Sequence, residues 1–324
     1  MPYSSDLEAR IAKKATRAIT EYNLIEDGDR VMVGLSGGKD SWALMQILDV
    51  LRRRAPIAFS VVAVNIDSGY EGYQHHKLTE TCAARGWELH VEHTQIGEAI
   101  DDILDETATP CSLCARLRRG ALYRLATEVG ATKIALGHHA DDFIETLLLN
   151  VFFQGSMKAM PARLVSDNGK HVVIRPLVYV TESEAMKYAK ASALPIIGCC
   201  CPACGDLSLQ RQRVKRLIAE LEVEHPEIKN SMLRALGNIA PRHLLDRRFD
   251  QRPEFGRHPT EAAASDVKDI KDKLRFARGT ERPGEAGASE AGVNEAPDGA
   301  PNASALGLET AAERRRRVPL TEVR

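Results

Sequence analysis

The 324-residue sequence predicts a doubly wound α/β fold, in which a parallel sheet carries helices on both faces. Short apolar segments alternate with amphipathic segments over about the first 250 residues, which is typical of such a sheet. One apolar segment runs directly into a glycine-rich turn at residues 36–41. Polar and charged residues end two other apolar segments, where an open α/β sheet binds its ligands.

The expected elements follow from hydrophobic periodicity and from Gly, Asp or Ser at their ends. Strands are expected at residues 31–35, 59–67, 88–93, 133–138 and 172–177. Helices are expected between them at residues 41–53, 73–85, 112–129 and 141–153. One further helix precedes the sheet at residues 6–22, and two follow it at residues 207–221 and 228–239.

Composition divides the chain into four parts. We expect an N-terminal helix within residues 1–25, the α/β domain at residues 26–198, and a cysteine cluster with two helices at residues 199–250. Residues 284–306 are rich in Gly, Ala, Glu, Pro and Ser and contain no aromatic residue, so they cannot bury enough apolar surface to offset the entropy of ordering. Residues 251–324 are therefore expected to be a largely disordered tail.

The charges of the chain are balanced. Lys and Arg number 44 and Asp and Glu 45, so a nucleic-acid partner must meet a local basic surface and not bulk charge. With 44% hydrophobic and 27% charged residues, the composition excludes a wholly disordered, collagen-like or membrane-embedded chain. No apolar segment approaches the roughly 20 residues that span a bilayer. The first residues lack the apolar core of a signal peptide, so we expect a cytoplasmic protein with no membrane partner.

The chain has seven cysteines, too few for a disulfide scaffold. Six of them fall into two groups, Cys111 and Cys114, and Cys199, Cys200, Cys201 and Cys204. In a reducing cytosol this grouping indicates metal, cluster or redox chemistry. Two C-x-x-C pairs can bind structural zinc or an iron–sulfur cluster, and one pair can form a redox disulfide. Spacing alone does not choose among these. The seventh cysteine, Cys82, is expected to be a small core residue.

The strongest motif is the turn formed by Ser36, Gly37, Gly38, Lys39, Asp40 and Ser41. Its two glycines allow the backbone to turn sharply and approach a ligand, and its N–H groups then point into one concavity. The helix that follows adds its positive end, so the turn is expected to bind phosphate. Neither the Walker A spacing nor the G-x-G-x-x-G spacing is present.

This SGGKDS segment resembles the PP-loop of the ATP pyrophosphatase superfamily. The resemblance implies that the protein binds ATP, adenylates a carbonyl or carboxyl oxygen and releases pyrophosphate. Lys39 and the backbone of the loop would then hold the phosphates. Asp40 would help to carry Mg²⁺, which neutralises charge on the departing pyrophosphate.

Two further segments fit such a nucleotide site. Residues 63–67, which end at Asp67, are expected either to line the adenosine pocket or to form a solvated strand end. Gly137, His138, Asp141 and Asp142 form a segment that resembles the G-H-x-x-D-D element of the same superfamily. Paired carboxylates at a helix start otherwise cap the helix. With the PP-loop upstream, Asp141 and Asp142 are predicted to belong to the Mg²⁺ or phosphate site.

Four segments in order, residues 111–120, 137–142, 169–177 and 209–212, resemble the tRNA 2-thiocytidine synthetase family over residues 6–246. That family implies a 4Fe–4S cluster held by three cysteines, with one iron left open to carry sulfur. Two ligands correspond to Cys111 and Cys114. The third corresponds to Cys204, with Cys201 as its rival. Lys39, Asp40 and these cysteines would form the catalytic centre.

The same resemblance implies the reaction and the partners. The C2 oxygen of a flipped-out tRNA cytosine, at position 32, would be adenylated and then replaced by sulfur. A cysteine desulfurase would supply the sulfur, and the protein would form a homodimer. Arg116, Arg118 and Arg119 suit RNA phosphates, although a solvated helix face is the alternative. Two other functions stay open, a nucleotide-binding module with structural zinc and another PP-loop ligase that acts on tRNA or a small acid.

Overall fold

The computed structural model describes residues 3–103, 110–166, 169–198, 200–201 and 209–246, and every structural statement below refers to them. The chain divides into two units, residues 1–237 and residues 238–324, and of the second unit the structure describes residues 238–246. Within the second unit, the described residues contain one short 3₁₀ helix, Pro241–His243. The predicted tail at residues 251–324 lies outside the described residues.

The first unit is built on a six-stranded sheet. The strands are β1 (Arg30–Gly34), β2 (Ser60–Asp67), β3 (Leu89–His93), β4 (Lys133–Ala135), β5 (Arg163–Val165) and β6 (Val172–Ile174). Their order in the sheet is β3-β2-β1-β4-β6-β5. The five strands β3, β2, β1, β4 and β6 run parallel, and β5 pairs with β6 in the antiparallel direction. This arrangement confirms the predicted doubly wound α/β class.

Nine α-helices in the described part of the chain accompany this sheet. They are α1 (Asp6–Glu21), α2 (Lys39–Arg52), α3 (His75–Arg85), α4 (Ile96–Ile103), α5 (Pro110–Glu128), α6 (Ala140–Gln154), α7 (Glu182–Ala191), α8 (Gln210–Glu224) and α9 (Ile228–Leu236).

The order of the strands determines where a ligand can bind. From β1 the chain builds outward through β2 and β3, and it then returns to place β4 on the other side of β1. The connections that follow β1 and β4 therefore leave the sheet at its switch point, the usual ligand crevice of an open α/β sheet. The loop at residues 36–38 follows β1, and the segment at residues 136–139 follows β4.

Helix α2 is the centre of the main core. Residues 41–51 are all buried, so this helix has no solvent-exposed face in that stretch, as expected of a helix enclosed by other layers. It packs against the sheet, α1 and α7. Trp42 near its start is fully buried, and its indole Nε1 donates a hydrogen bond of 2.7 Å to the carbonyl of Pro195.

Most predicted elements are present with ends shifted by a few residues, but three were missed. Helix α4 and strand β5 are short, and β5 has only three residues paired along an edge. Helix α7 carries a capping box of Thr181 and Glu184, a T-x-x-E signal that is legible in the sequence. The predicted strands at 133–138 and 172–177 are shorter than expected, at Lys133–Ala135 and Val172–Ile174.

We predict that Trp42→Phe lowers the free energy of unfolding by about 1–3 kcal/mol, because the Pro195 carbonyl loses its donor and the core loses volume. Urea unfolding followed by fluorescence measures this, since the chain has only two tryptophans and Trp87 remains as the reporter. Trp87→Phe is the matched control and should lower the free energy of unfolding by a smaller amount. Equal losses in the two variants would contradict the importance of the Trp42 hydrogen bond.

Candidate active site

The glycine-rich loop connects β1 to α2 in a conformation that requires glycine. Gly37 has a φ of +79°, and a Cβ at this position would lie 3.0 Å from the side chain of Ile197. The Ile197 N–H donates to the Gly37 carbonyl at 2.9 Å, so the segment after α7 holds the loop by a backbone hydrogen bond. Ser41 Oγ accepts from the Ser36 N–H at 3.2 Å and donates to the Gly38 carbonyl at 2.9 Å. The loop is therefore held before any ligand arrives.

A second strand positions the start of the loop. The amide of Asn65, which is fully buried in β2, donates to the Leu35 carbonyl at 2.7 Å and to the Tyr73 hydroxyl at 2.6 Å. Tyr73 in turn donates to the Ser36 carbonyl at 3.2 Å. Burial raises the pKa of Tyr73, so its hydroxyl remains a donor at neutral pH. Sequence reasoning missed Tyr73, because the only available signal was an aromatic residue just before a helix.

The segment after β4 packs directly on the loop. A Cβ on Gly137 would lie 2.9 Å from the Asp40 carbonyl carbon and the Ser41 nitrogen, so only glycine allows the two backbones to approach this closely. This contact brings the side chain of His139 to Asp40 at the start of α2.

The two histidines after Gly137, of which His138 is partly buried and His139 is buried, lie in different charge environments. Burial lowers the pKa of His138 to about 4, so its ring is neutral at pH 7, and Nδ1 accepts a hydrogen bond of 3.3 Å from Arg175. His139 places Nε2 3.6 Å from Asp40 Oδ1. Burial raises the pKa of Asp40, although His139 and Lys39 oppose that effect. Asp40 Oδ1 is buried and has no hydrogen-bond partner among the described residues.

Asp141 and Asp142 contact protein groups. Asp141 Oδ2 accepts from the Glu182 N–H at 2.7 Å, and Oδ1 lies 3.1 Å from Lys229 Nζ. Asp142 Oδ2 accepts from the His139 N–H at 3.0 Å and completes a capping box at the start of α6. The two carboxylates cap helices and hold α9 in this structure. Their predicted role at a metal or phosphate site stays a prediction.

Lys39 is engaged by two carboxylates. Its Nζ lies 2.9 Å from Asp40 Oδ2 and 3.1 Å from Glu182 Oε1. Glu182 also binds Lys215 of α8 at 2.7 Å. Burial alone would raise the pKa of Glu182, but the bonds from Lys215 and Lys39 outweigh it and lower the pKa to about 2. Sequence reasoning missed Glu182, which lies in the helix that the periodicity did not reveal.

One cavity of about 250 Å³ connects the loop to the cysteines. Its wall includes Ser36 and Gly38 of the loop, Asp67 at the end of β2, Tyr73, Cys114 and Arg118 of α5, and Cys200 and Cys201. The structure thus brings four of the separately predicted groups to one space: the phosphate loop, the end of the second strand, the first C-x-x-C pair and the second cysteine cluster.

Other predicted site residues lie elsewhere or outside the described residues. Cys111 is exposed near the start of α5, and Arg116 and Arg119 are exposed on the same helix. Asp141 lines a smaller cavity of about 60 Å³ with Glu182, Lys215 and Lys229. Cys199 and Cys204 lie outside the described residues, so the choice of Cys204 or Cys201 as third cluster ligand stays a prediction. Cys82 is buried in the core, and burial raises the pKa of its thiol to about 11.

Known proteins resemble this chain over most of its length. A family model described as a PP-loop domain, ATP_bind_3, matches residues 7–219. A tRNA-cytidine(32) 2-sulfurtransferase of Geobacter metallireducens is 50% identical over 242 residues, which are 75% of this chain and 94% of that protein. A protein of the same name from Geotalea daltonii is 52% identical over 243 residues, or 75% and 96% of the two chains.

A solved structure has the same fold. The U34-tRNA thiolase NcsA from Methanococcus maripaludis, with its 4Fe–4S cluster, matches with a TM-score of 0.61 and 26% sequence identity. The match covers 72% of this chain and 79% of that chain. Among the described residues, no helix combines the length and the apolar character needed to cross a membrane.

We predict that Glu182→Gln lowers the free energy of unfolding at pH 7. The difference in this free energy between the wild type and the variant should become smaller as the pH falls. The pKa of Glu182 falls from 4.5 to about 2 on folding, so its stabilising contribution is present above pH 4.5 and is lost as the pH falls toward 2. Urea unfolding of the cluster-free protein between pH 7 and pH 3 measures this. Glu220→Gln, at an exposed position of α8, is the control. A difference that does not change with pH would contradict the prediction.

Proposed function

Because this chain belongs to the PP-loop family of tRNA-cytidine(32) 2-sulfurtransferases, we propose that the cavity between the PP-loop and the cysteines is where a tRNA cytidine is thiolated. The chain is an ATP-dependent tRNA thiolase, and thus a transferase. The observation that supports the proposed location is the shared wall of the cavity, which includes the phosphate loop and thiol-bearing residues from both cysteine groups.

The cavity suits an iron–sulfur cluster. Cys114 of α5 and Cys200 and Cys201 after α7 line the same space, and thiolates are the ligands that such clusters require. Cys111 and Cys114, with Cys204 or its rival Cys201, are the proposed ligands. A bound 4Fe–4S cluster with one open iron would supply the position that carries the sulfur atom. The cysteines of the chain would hold it beside the nucleotide.

The PP-loop would bind ATP so that its α-phosphate faces the same cavity. The C2 oxygen of cytosine attacks the α-phosphorus, and pyrophosphate leaves. Sulfur at the oxidation level of sulfide then forms a bond to C2, the bond from C2 to oxygen breaks, and AMP leaves with that oxygen. This exchange of oxygen for sulfur changes no oxidation state. Arg118 on the cavity wall suits the negative charge of the phosphates.

Lys39 must change partners when ATP binds. In this structure its ammonium contacts Asp40 and Glu182, and the phosphates of ATP would take it from Glu182. Asp40 Oδ1 is buried without a hydrogen-bond partner among the described residues, which suits a cation at this place. Mg²⁺ there would neutralise charge on the departing pyrophosphate.

The remaining proposals concern partners. The exposed Arg116 and Arg119 flank Arg118 on α5, and together they suit contact with tRNA phosphates. A cysteine desulfurase as sulfur donor, a homodimer and a cytoplasmic location are proposed on the family resemblance alone.

We predict that Cys114→Ala abolishes 2-thiocytidine formation and lowers the iron content, while ATP binding remains. The reason is that this thiol belongs to the cluster-binding group and not to the PP-loop. Anaerobically purified protein is analysed for iron, then incubated with unmodified tRNA, ATP, Mg²⁺ and sulfide, and the digested nucleosides are examined by mass spectrometry. Cys82→Ala is the matched control, since that thiol is buried in the core, and it should retain iron and activity.

The same assay separates the proposal from its alternatives. Wild-type protein with iron near four per chain and ATP-dependent 2-thiocytidine supports it. Zinc without iron, together with no thionucleoside at any sulfide level, would overturn it in favour of a structural zinc module. Thiolation that persists in Cys114→Ala would remove this residue from the site.

We predict that Lys39→Ala lowers the rate of pyrophosphate release by about 10²–10³-fold. The reason is that the variant lacks the ammonium group that would stabilise the negative charge developing on the departing pyrophosphate. Labelled ATP in the thiolation assay measures it. Lys13→Ala, at an exposed position of α1, is the control and should retain the rate. An unchanged rate in Lys39→Ala would exclude Lys39 from the phosphate site.

A further inference from the structure

A second group of side chains that could bind a metal lies beside the cavity, at the carboxyl ends of β2 and β3. None of its members is a cysteine. Asp67 ends β2, His93 ends β3, and His75 begins α3. One ligand atom from each residue lies within 4.8 Å of the others. Neither the cluster nor the ATP site needs the two histidines.

The three side chains converge on one carboxylate oxygen. Asp67 Oδ2 lies 3.2 Å from His93 Nδ1 and 3.7 Å from His75 Nδ1. The two imidazole rings are nearly perpendicular, at 83°, with centroids 5.1 Å apart. Zinc bonds to nitrogen and oxygen are about 2.0–2.2 Å long, so two ligands of a tetrahedral ion lie about 3.3–3.6 Å apart. The two separations from Asp67 are close to these values, and all three ligand atoms lie within 4.8 Å of one another.

The backbone beneath the group is held firmly. Asp67 and His93 are register partners on the neighbouring parallel strands β2 and β3, so their side chains meet at the carboxyl edge of the sheet. The Thr94 N–H and hydroxyl both donate to the Asp67 carbonyl, at 2.9 and 2.8 Å. The Gly69 N–H donates to Asp67 Oδ1 at 3.0 Å. This bond orients the carboxylate and directs Oδ2 toward both histidines, as an outer partner orients a metal ligand.

Accessibility also suits a metal ion. The Asp67 side chain is 13% exposed, whereas those of His75 and His93 are 43% and 63% exposed. The carboxylate therefore lies on the protein side of the group, and the two imidazoles lie on its solvent side. Solvent would give an ion its entry path and a water molecule as fourth ligand.

We propose that Asp67, His75 and His93 bind one divalent transition-metal ion, for which Zn²⁺ is the probe, with water in the remaining position. Two imidazoles and one carboxylate suit zinc and its neighbours in the first transition series, whereas Mg²⁺ takes oxygen ligands. The ion joins three elements that are separate in sequence. It is distinct from the cysteine-bound cluster and from the Mg²⁺ proposed beside Asp40.

The position of the ion connects it to the loop. His75 is two residues after Tyr73, whose hydroxyl donates to the Ser36 carbonyl. An ion that fixes His75 against the sheet therefore also restrains the start of α3 and the tyrosine that positions the PP-loop. The binding itself does not rest on the proposed function, so it is tested separately from thiolation.

The test compares two double variants of the full-length, cluster-loaded protein. His75→Gln with His93→Gln removes both imidazole ligands. His76→Gln with His90→Gln removes the same number of imidazoles from the same helix and strand, at positions outside the group. Zn²⁺ is titrated anaerobically, bound zinc is measured by metal analysis after desalting, and zinc X-ray absorption identifies the ligand atoms.

We expect the wild type and the control to bind one zinc through nitrogen and oxygen ligands, and the His75/His93 variant to bind it at least about tenfold more weakly. Zinc should also raise the melting temperature of the first two proteins and not of the third. Equal zinc affinity in all three proteins, or sulfur in the zinc coordination shell, would overturn the proposal. If the double variant does not fold, His93→Gln alone is measured against His90→Gln with the same expectation.

Discussion

The close contact between two loops at the switch point of the sheet is the constraint on which the rest of the site depends. Gly137 approaches the backbone of Asp40 and Ser41 so closely that a single added carbon would overlap them. This approach is possible because β1 and β4 are neighbours in the sheet, although about one hundred residues separate them in the chain. The PP-loop therefore rests on the segment after β4, which carries the paired histidines and aspartates.

Several charged side chains beside this contact have more than one partner of opposite charge. Lys39, Glu182 and Lys215 form a chain of ion pairs from the loop to α8. The backbone N–H of Glu182 also donates to Asp141, which pairs with Lys229 of α9. Because Glu182 also contacts Lys215, it would keep a positive partner if, as proposed, the phosphates of ATP take Lys39. Breaking the pair with Lys39 would then not leave the carboxylate of Glu182 without a compensating charge. The C-terminal helices of the first unit complete the site electrostatically.

The cavity combines groups with different chemical preferences. The loop residues Ser36 and Gly38 line it with backbone suited to phosphate, and Cys114, Cys200 and Cys201 line it with thiols suited to iron. Asp67 also lines the cavity and lies within ligand distance of His75 and His93. An α/β sheet allows this combination, because the carboxyl ends of all its parallel strands open onto one edge.

The sequence by itself determined the fold class, most helices and strands, the phosphate loop and the paired cysteines. These features are local, since they depend on hydrophobic periodicity, on glycines in a turn and on short spacings. Tertiary structure alone decided that the Tyr73 hydroxyl donates to the Ser36 carbonyl and that Glu182 pairs with Lys39. It also decided that Asp141 and Asp142 accept hydrogen bonds at the starts of two helices, and that Asp67 lies beside two histidines. Each of these contacts joins residues from separate elements. Strand order and register set those distances, and neither is encoded in any one segment of the chain.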